Sequence, residues 1–196
     1  MNDWFTIDQI DESTYIISEN RHWEETHCYL LIGNDRALLI DTGLGISNIY
    51  EQVRRLTDKP VAAVATHIHW DHIGGHKYFP EFYAHEAELD WLNGKFPLPL
   101  QAVKNMVADR CELPEDFCID GYAIFQGNPS RVLVDGWLMV TPLTWVEEPF
   151  KSFTHRGILP DTSASGKMKK VICIAVTWFM KEPCLQTIPL LIRRAI

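Results

Sequence analysis

The 196-residue chain is poor in several things. It has five cysteines, Cys28, Cys111, Cys118, Cys173 and Cys184, and no two of them have CxxC spacing. An odd, scattered set argues against a disulfide framework and reads as buried free thiols. No apolar run is long enough to span a bilayer. The opening MNDWFTIDQIDESTY lacks a basic segment followed by an apolar one, so no signal peptide and a cytoplasmic location are expected. Basic residues are outnumbered, 18 Lys and Arg against 26 Asp and Glu, a net charge of −8. That balance disfavours nucleic acid and an anionic membrane as partners. There is no internal repeat and no low-complexity tract.

What remains is an ordinary globular composition, 46% hydrophobic and 22% charged. The length suits one domain with a sizeable core. The charge is unevenly spread. Residues 1–136 carry ten Lys and Arg against 22 Asp and Glu, and residues 137–196 carry eight against four. Seven of the eight histidines lie in the first part.

The first part reads as a β-rich start followed by alternating strands and helices. WFTID and TYIIS are short β-branched and aromatic runs. HCYLLIG and RALLID read as a hairpin with a tight turn at Asn34–Asp35. Ser47 is a candidate cap for the helix NIYEQVRRL, on which Ile49, Val53 and Leu56 share a face. PVAAVAT is a nearly continuous apolar run, as in a buried strand. GGHKYF is expected to start a helix, EFYAH to be a strand, EAELDWLN a helix ended by Gly94, and LQAVKNMVADR another helix. The fold class is therefore α/β (α+β).

The stretch THIHWDHIGGH, residues 66–76, follows the buried strand directly. Ligand sites in α/β folds commonly lie at such strand ends. Neutral imidazoles and a carboxylate suit Zn²⁺ or a similar divalent ion. His67 and His69, two apart in extended backbone, project the same way and suit one metal. Asp71 and His72 on the next turn suit a second. Two neighbouring metals can share a hydroxide and polarise a carbonyl or phosphoryl oxygen. Gly74 and Gly75 would let the backbone turn sharply there. The plainer alternative is a set of surface histidines. H-x-H-x-D-H arises by chance in roughly one chain of this composition in a thousand, which favours the metal.

The motif resembles the T-H-x-H-x-D-H-x-G-G signature of the metallo-β-lactamase fold superfamily. LLIDTG before a helix, and then an apolar strand into the histidines, is similar to the same family. The resemblance covers roughly residues 5–136. It implies a four-layer αββα sandwich, hydrolysis of a small-molecule substrate of thioester, lactam or phosphoester type, and two Zn²⁺ ions or other divalent metals. It implies metal-bound hydroxide as nucleophile, His67, His69, Asp71 and His72 as metal ligands, and Asp71 as a catalytic proton acceptor. Asp41 of the DTG becomes a supporting group near the metals, with a turn or capping aspartate as the alternative. His76 is expected to face solvent, and His22, His27 and His85 to be ordinary surface or core residues.

The resemblance also implies ligands this chain does not supply: a third histidine in a TPGHSPGH-like stretch, a bridging aspartate in a later GD, and a final histidine. Only His155 follows His85. Re-reading each codon one base earlier, however, permits YTPGHSPGHICFW from residues 153–166. It permits VDGDTIDLGGRTIQV just before, and a GD further on. Each shifted codon can reach only a handful of residues, so long agreement with a family pattern is not expected by chance. The chain is accordingly divided into 1–136, the N-terminal part of a metallo-β-lactamase-like domain, and 137–196, an out-of-frame segment. The frame change falls near Gly136–Met139, and the C-terminal half of the sandwich is incomplete. Selection would not have shaped the apolar runs VICIAVTWFM and TIPLLI, with a genuine C-terminal strand pair as the alternative.

Two functional readings follow. One is a metal-dependent hydrolase. The other is a non-catalytic remnant that binds metal weakly at most, because the third histidine and bridging aspartate are absent. Oxidoreductase use of the same scaffold generally adds a flavin domain, for which the chain has no room. WLNGKFPLPLQAV is read as an apolar loop packed on the core, with a pocket wall as the alternative. The oligomeric state is not legible.

Overall fold

A computed structural model describes residues 4–85, 88, 90–123, 127–132 and 137–142. The fold is mixed α/β, built on one eight-stranded sheet of order β1-β2-β3-β4-β5-β6-β8-β7. The strands are β1 (Thr6–Asp11), β2 (Thr14–Ser18), β3 (His27–Ile32), β4 (Ala37–Ile40), β5 (Val61–Val64), β6 (Phe82–His85), β7 (Gly127–Val132) and β8 (Trp137–Pro142).

The first four strands form the expected antiparallel meander. The β3–β4 turn closes with Ile32 opposite Ala37 and the Gly33 amide donating to the Arg36 carbonyl at 2.9 Å. The sheet then changes sense, since β4, β5 and β6 run parallel. Parallel neighbours need a crossover. The first is α1 (Ile49–Leu56), whose Ile49 and Val53 are buried against the sheet. Its cap is Asn48, not Ser47: the Asn48 side chain accepts from the Tyr50 amide at 3.1 Å. Both residue types cap well, so the sequence alone could not choose between neighbours.

The helix expected over GGHKYF is displaced. A single helical turn, α2 (Trp70–Ile73), precedes the glycines, and only a 3₁₀ turn (His76–Tyr78) follows them. Pro80 gives the reason. The residue before a proline is pushed out of the helical region, and Phe79 is extended at φ −103°, ψ 128°. Residues 86, 87 and 89 of EAELDWLN lie outside the described residues, and Trp91–Lys95 forms a wide π turn with Gly94 at φ +84°. α3 (Leu100–Ala108) forms as expected.

β4 and β5 are buried along their whole length. Leu39, Ala63 and Phe82 point into a core with Ile49, Val53, Phe79 and Leu92. Leu38, Ile40, Val64 and Tyr83, of opposite parity, are buried as well. Strands buried on both faces read as continuous apolar runs, which is why VAAV shows no alternation. A second cluster of Trp4, Leu44, Ile46, Trp70, Val103, Val107 and Tyr122 ties α3 to the loop after β4.

β8 pairs antiparallel with β6 and β7. It begins at the position expected to start the out-of-frame segment. The rest of that segment, residues 143–196 with His155, Cys173, Cys184 and both apolar runs, lies outside the described residues, as does any second sheet built from it. No described helix is long and apolar enough to cross a membrane.

Candidate metal centre

β4 and β5 end side by side, with Ile40 opposite Val64. The Asp41 amide extends this ladder by donating to the Val64 carbonyl at 2.8 Å. Asp41 then leaves the strand at φ +60°, a left-handed conformation that aspartate tolerates better than most residues. This places its carboxylate beside Thr66. Asp41 Oδ1 accepts from the Thr66 amide at 2.8 Å, and Oδ2 accepts from the Thr66 hydroxyl at 2.9 Å.

The same carboxylate reaches the histidines. His72 Nδ1 donates to Asp41 Oδ2 at 2.9 Å. The Thr66 hydroxyl, its proton turned toward Asp41, accepts from His67 Nδ1 at 3.1 Å. One aspartate therefore fixes the ring orientation of two imidazoles and leaves the Nε2 atom of each away from the support. Carboxylate-backed histidines of this kind are the usual outer support of metal ligands. Asp41 is thus both of its sequence alternatives at once, a turn residue and the backing group.

His67 and His69 do project the same way. Their rings stack at 5.8 Å and 21°, while Ile68 between them is buried in the core. Side-chain contacts also run between the expected His67–His69 pair and the expected Asp71–His72 pair. Asp71 is buried and sits between His69 and His72. Its Oδ1 accepts from His69 Nδ1, and its Oδ2 from His72 Nε2 at 3.2 Å. His67 and His72 are in ring contact at 4.2 Å. All four candidates form one cluster. Among the described residues, no three His, Cys, Asp or Glu side chains converge so as to hold one metal ion. Asp71 makes the physical reason plain: both of its oxygens are engaged by imidazole N–H groups.

The electrostatics follow from these contacts. Burial opposes charge on His72, but Asp41 and Asp71 outweigh it and raise its pKa to about 10. Burial likewise opposes charge on Asp71, but the His72 and His69 contacts hold it well below the carboxylate range. Burial, reinforced by the His72 charge, pushes His67 down. The cluster thus carries a carboxylate and an imidazolium side by side.

The glycines act differently from expectation. Gly74 has φ −59° and Gly75 φ −94°, so neither needs glycine's freedom to turn. They are needed for close approach. A Cβ on Gly74 would stand 2.2 Å from the Leu44 carbonyl, and one on Gly75 would stand 2.5 Å from the Thr42 carbonyl oxygen. The turn after β4 and the histidine turn lie backbone against backbone. The Thr42 amide donates to the His72 carbonyl at 2.7 Å, and the Gly74 amide to the Gly43 carbonyl at 2.8 Å.

His76, expected at the surface, is buried and donates from Nδ1 to the Ile73 carbonyl at 2.5 Å. It points away from the ligand cluster into the core beside Phe82. His22 is also buried, with Nε2 donating to the Met106 carbonyl at 3.2 Å, whereas His27 is exposed and contacts Ser18. The loop reading of WLNGKFPLPLQAV gains one site contact, Phe96, whose ring lies 5.7 Å from His69 and 5.3 Å from Trp91. Sequence reasoning missed three supports: Glu88, which accepts from the Ile68 amide at 3.2 Å; Trp4; and Glu19 beneath the turn after β4. None of the three carries a spacing signal.

The family described as the metallo-beta-lactamase superfamily matches residues 22–109, the span that contains Asp41 and all four candidate ligands. The acyl-coenzyme A thioesterase MBLAC2 of Gallus gallus is 33% identical over 98 residues, covering 44% of this chain and 35% of that protein. The probable metallo-hydrolase YybB of Bacillus subtilis (strain 168) is 25% identical over 150 residues, 65% of this chain and 68% of that protein. The chain therefore spans little more than a third of the length of the thioesterase it matches. Among solved structures, a metallo-beta-lactamase from Pontibacter korlensis is 24% identical with a TM-score of 0.38, covering 46% of this chain and 48% of its own. One from Erythrobacter litoralis is 21% identical with a TM-score of 0.40, covering 48% and 47%. By their names, these relatives matched in sequence are a thioesterase and a probable metallo-hydrolase.

Proposed function

We propose that His67, His69, Asp71 and His72 are the N-terminal half of the cation centre of a metal-dependent hydrolase. The observation that carries this is the Asp41 carboxylate, which backs His72 directly and His67 through Thr66. A carboxylate spent on orienting imidazoles is hard to explain by folding alone, since two half-buried histidines would be cheaper to replace with apolar residues. The donor set suits Zn²⁺, though other divalent ions accept the same atoms. A cation there would supply Lewis-acid charge to a carbonyl or phosphoryl oxygen and acidify a bound water.

The chain's own residues do the rest. His67 and His69 present a stacked pair of donors on one side, Asp71 remains ionised between His69 and His72, and Phe96 supplies an apolar surface beside His69. A small-molecule substrate with an apolar group fits that surface. The thioesterase named among the relatives makes a thioester the first substrate to try.

The second reading is a remnant with weak metal binding, since among the described residues no three candidate donors are grouped to hold one ion. Catalytic zinc ordinarily keeps three protein ligands. Elemental analysis of the full chain purified without added metal, with hydrolysis assays on a generic thioester, lactam and phosphodiester, separates the two. Stoichiometric metal with turnover supports the hydrolase. Substoichiometric metal without turnover supports the remnant.

A further inference from the structure

Glu19 follows β2 and is buried at 1% exposure, and among the described residues no cation lies beside it. Its carboxylate is spent on two N–H donors. Oε1 accepts from Trp4 Nε1 at 2.7 Å, and Oε2 accepts from the Leu44 amide at 2.7 Å. It also lies directly under Gly43, where an added Cβ would stand 2.2 Å from Oε2. Gly43 is held at φ +70°.

Leu44 and Gly43 belong to the turn that carries Asp41. That turn holds the histidine turn through two main-chain bonds, Thr42 to the His72 carbonyl and Gly74 to the Gly43 carbonyl. A continuous path therefore runs from Glu19 through Leu44 and Gly43 to His72. A buried carboxylate is costly, since burial lifts its pKa to about 7 and the Asp71 charge adds to the lift. The titratable groups facing it, the Asp71 carboxylate and the neutral Cys28 thiol and Tyr122 phenol, bring no positive charge. The cost is offset only by the two donors it satisfies.

We propose that Glu19 is a positioning residue for the candidate metal centre, acting through Gly43–Leu44 to hold the turn of His72 in register with Asp41. This rests on the metal-centre reading only for its second readout. A carboxamide cannot replace the carboxylate, because its NH₂ would face one of the two N–H donors.

The test uses the full chain and its Glu19→Gln variant. The first readout is the ¹⁵N signature of His72 Nδ1 in the metal-free chain, which reports the hydrogen bond to Asp41. The second is Zn²⁺ affinity by competition with a chelating dye. In the folded variant the His72 signature is expected to shift toward that of an unpaired imidazole. Zn²⁺ affinity is expected to fall 10–100-fold, the usual cost of disturbing an outer support. An unchanged signature with unchanged affinity overturns the proposal. A wild-type chain without measurable Zn²⁺ affinity defeats the metal reading alone, because the His72 signature still reads Glu19. If Glu19→Gln does not fold, amide exchange in the wild type decides. Leu44 and Gly74 protected together and opening together support the path, and a Leu44 amide exchanging as a free loop overturns it.

Discussion

Asp41 Oδ2 and His72 Nδ1 lie 2.9 Å apart, although their residues are separated by a crossover helix and a strand. This contact joins the end of one strand to the turn beyond its neighbour. It also sets the charge of His72, since Asp41 is the strongest influence raising its pKa against burial.

Replacing Asp41 should therefore be read at His72. Asp41→Asn retains a residue that tolerates φ +60° but removes the charge. The His72 pKa, about 10 in the metal-free chain, should fall toward its ordinary 6.5. Asp41→Ala removes the acceptor as well and adds backbone strain, at a cost of about 2–4 kcal/mol. Histidine NMR titration checks the first and urea denaturation the second.

Stability of the metal-free chain should fall as pH rises from about 7 to about 10. Burial raises Glu19 from 4.5 to about 7, so the folded chain holds that proton more tightly. Its contribution is complete below 4.5 and is lost as pH climbs through about 7. His72, raised from 6.5 to about 10, contributes fully below 6.5 and loses that contribution as pH climbs through about 10. Asp71, held below its ordinary 3.8, contributes above 3.8 and loses it in stronger acid. Denaturation at stepped pH with a chelator present measures the curve. A steady rise from about pH 5 to about pH 9 would contradict it.

Gly74→Ala should cost about 3 kcal/mol or more, because its Cβ would meet the Leu44 backbone at 2.2 Å and backbone yields little. Gly121→Ala is the control. A Cβ there meets nothing within 4 Å, and the change should stay within about 0.5 kcal/mol. Equal effects in chemical denaturation would show that the two turns do not touch as described.

The frame reading is decided by nucleotides. The codons for residues 137–196, read one base earlier, should encode a TPGHSPGH-type stretch and a GD. Sequencing the gene across residues 130–160 tests it, and any other string there ends the idea. If it holds, the restored chain should bind Zn²⁺ more tightly than this one, by dye competition on both.

Much of the site was legible because its residues carry periodicity. His67 and His69 alternate with buried Ile68, and VAAV announced a strand covered on both faces. The meander and α1 were legible for the same reason. What escaped notice depends on three-dimensional approach. Nothing near Glu19 in sequence says that Leu44 will lie above it. The glycines of the histidine turn looked like bend residues, but their φ values are ordinary and their role is contact with another loop. His76 looked exposed because the helix was placed after the glycines rather than before them. Sequence distance also does not reveal that one carboxylate, Asp71, reaches both His69 and His72.

The parallel register of β4 with β5, Ile40 beside Val64, has a kinetic corollary. Asp41 and Thr66 meet only when those two strands have docked without slipping, and loop closure over the intervening helix must come first. The His72 resonance can then serve as a clock for one late tertiary event, timed in a refolding experiment without any substrate or cation in the tube.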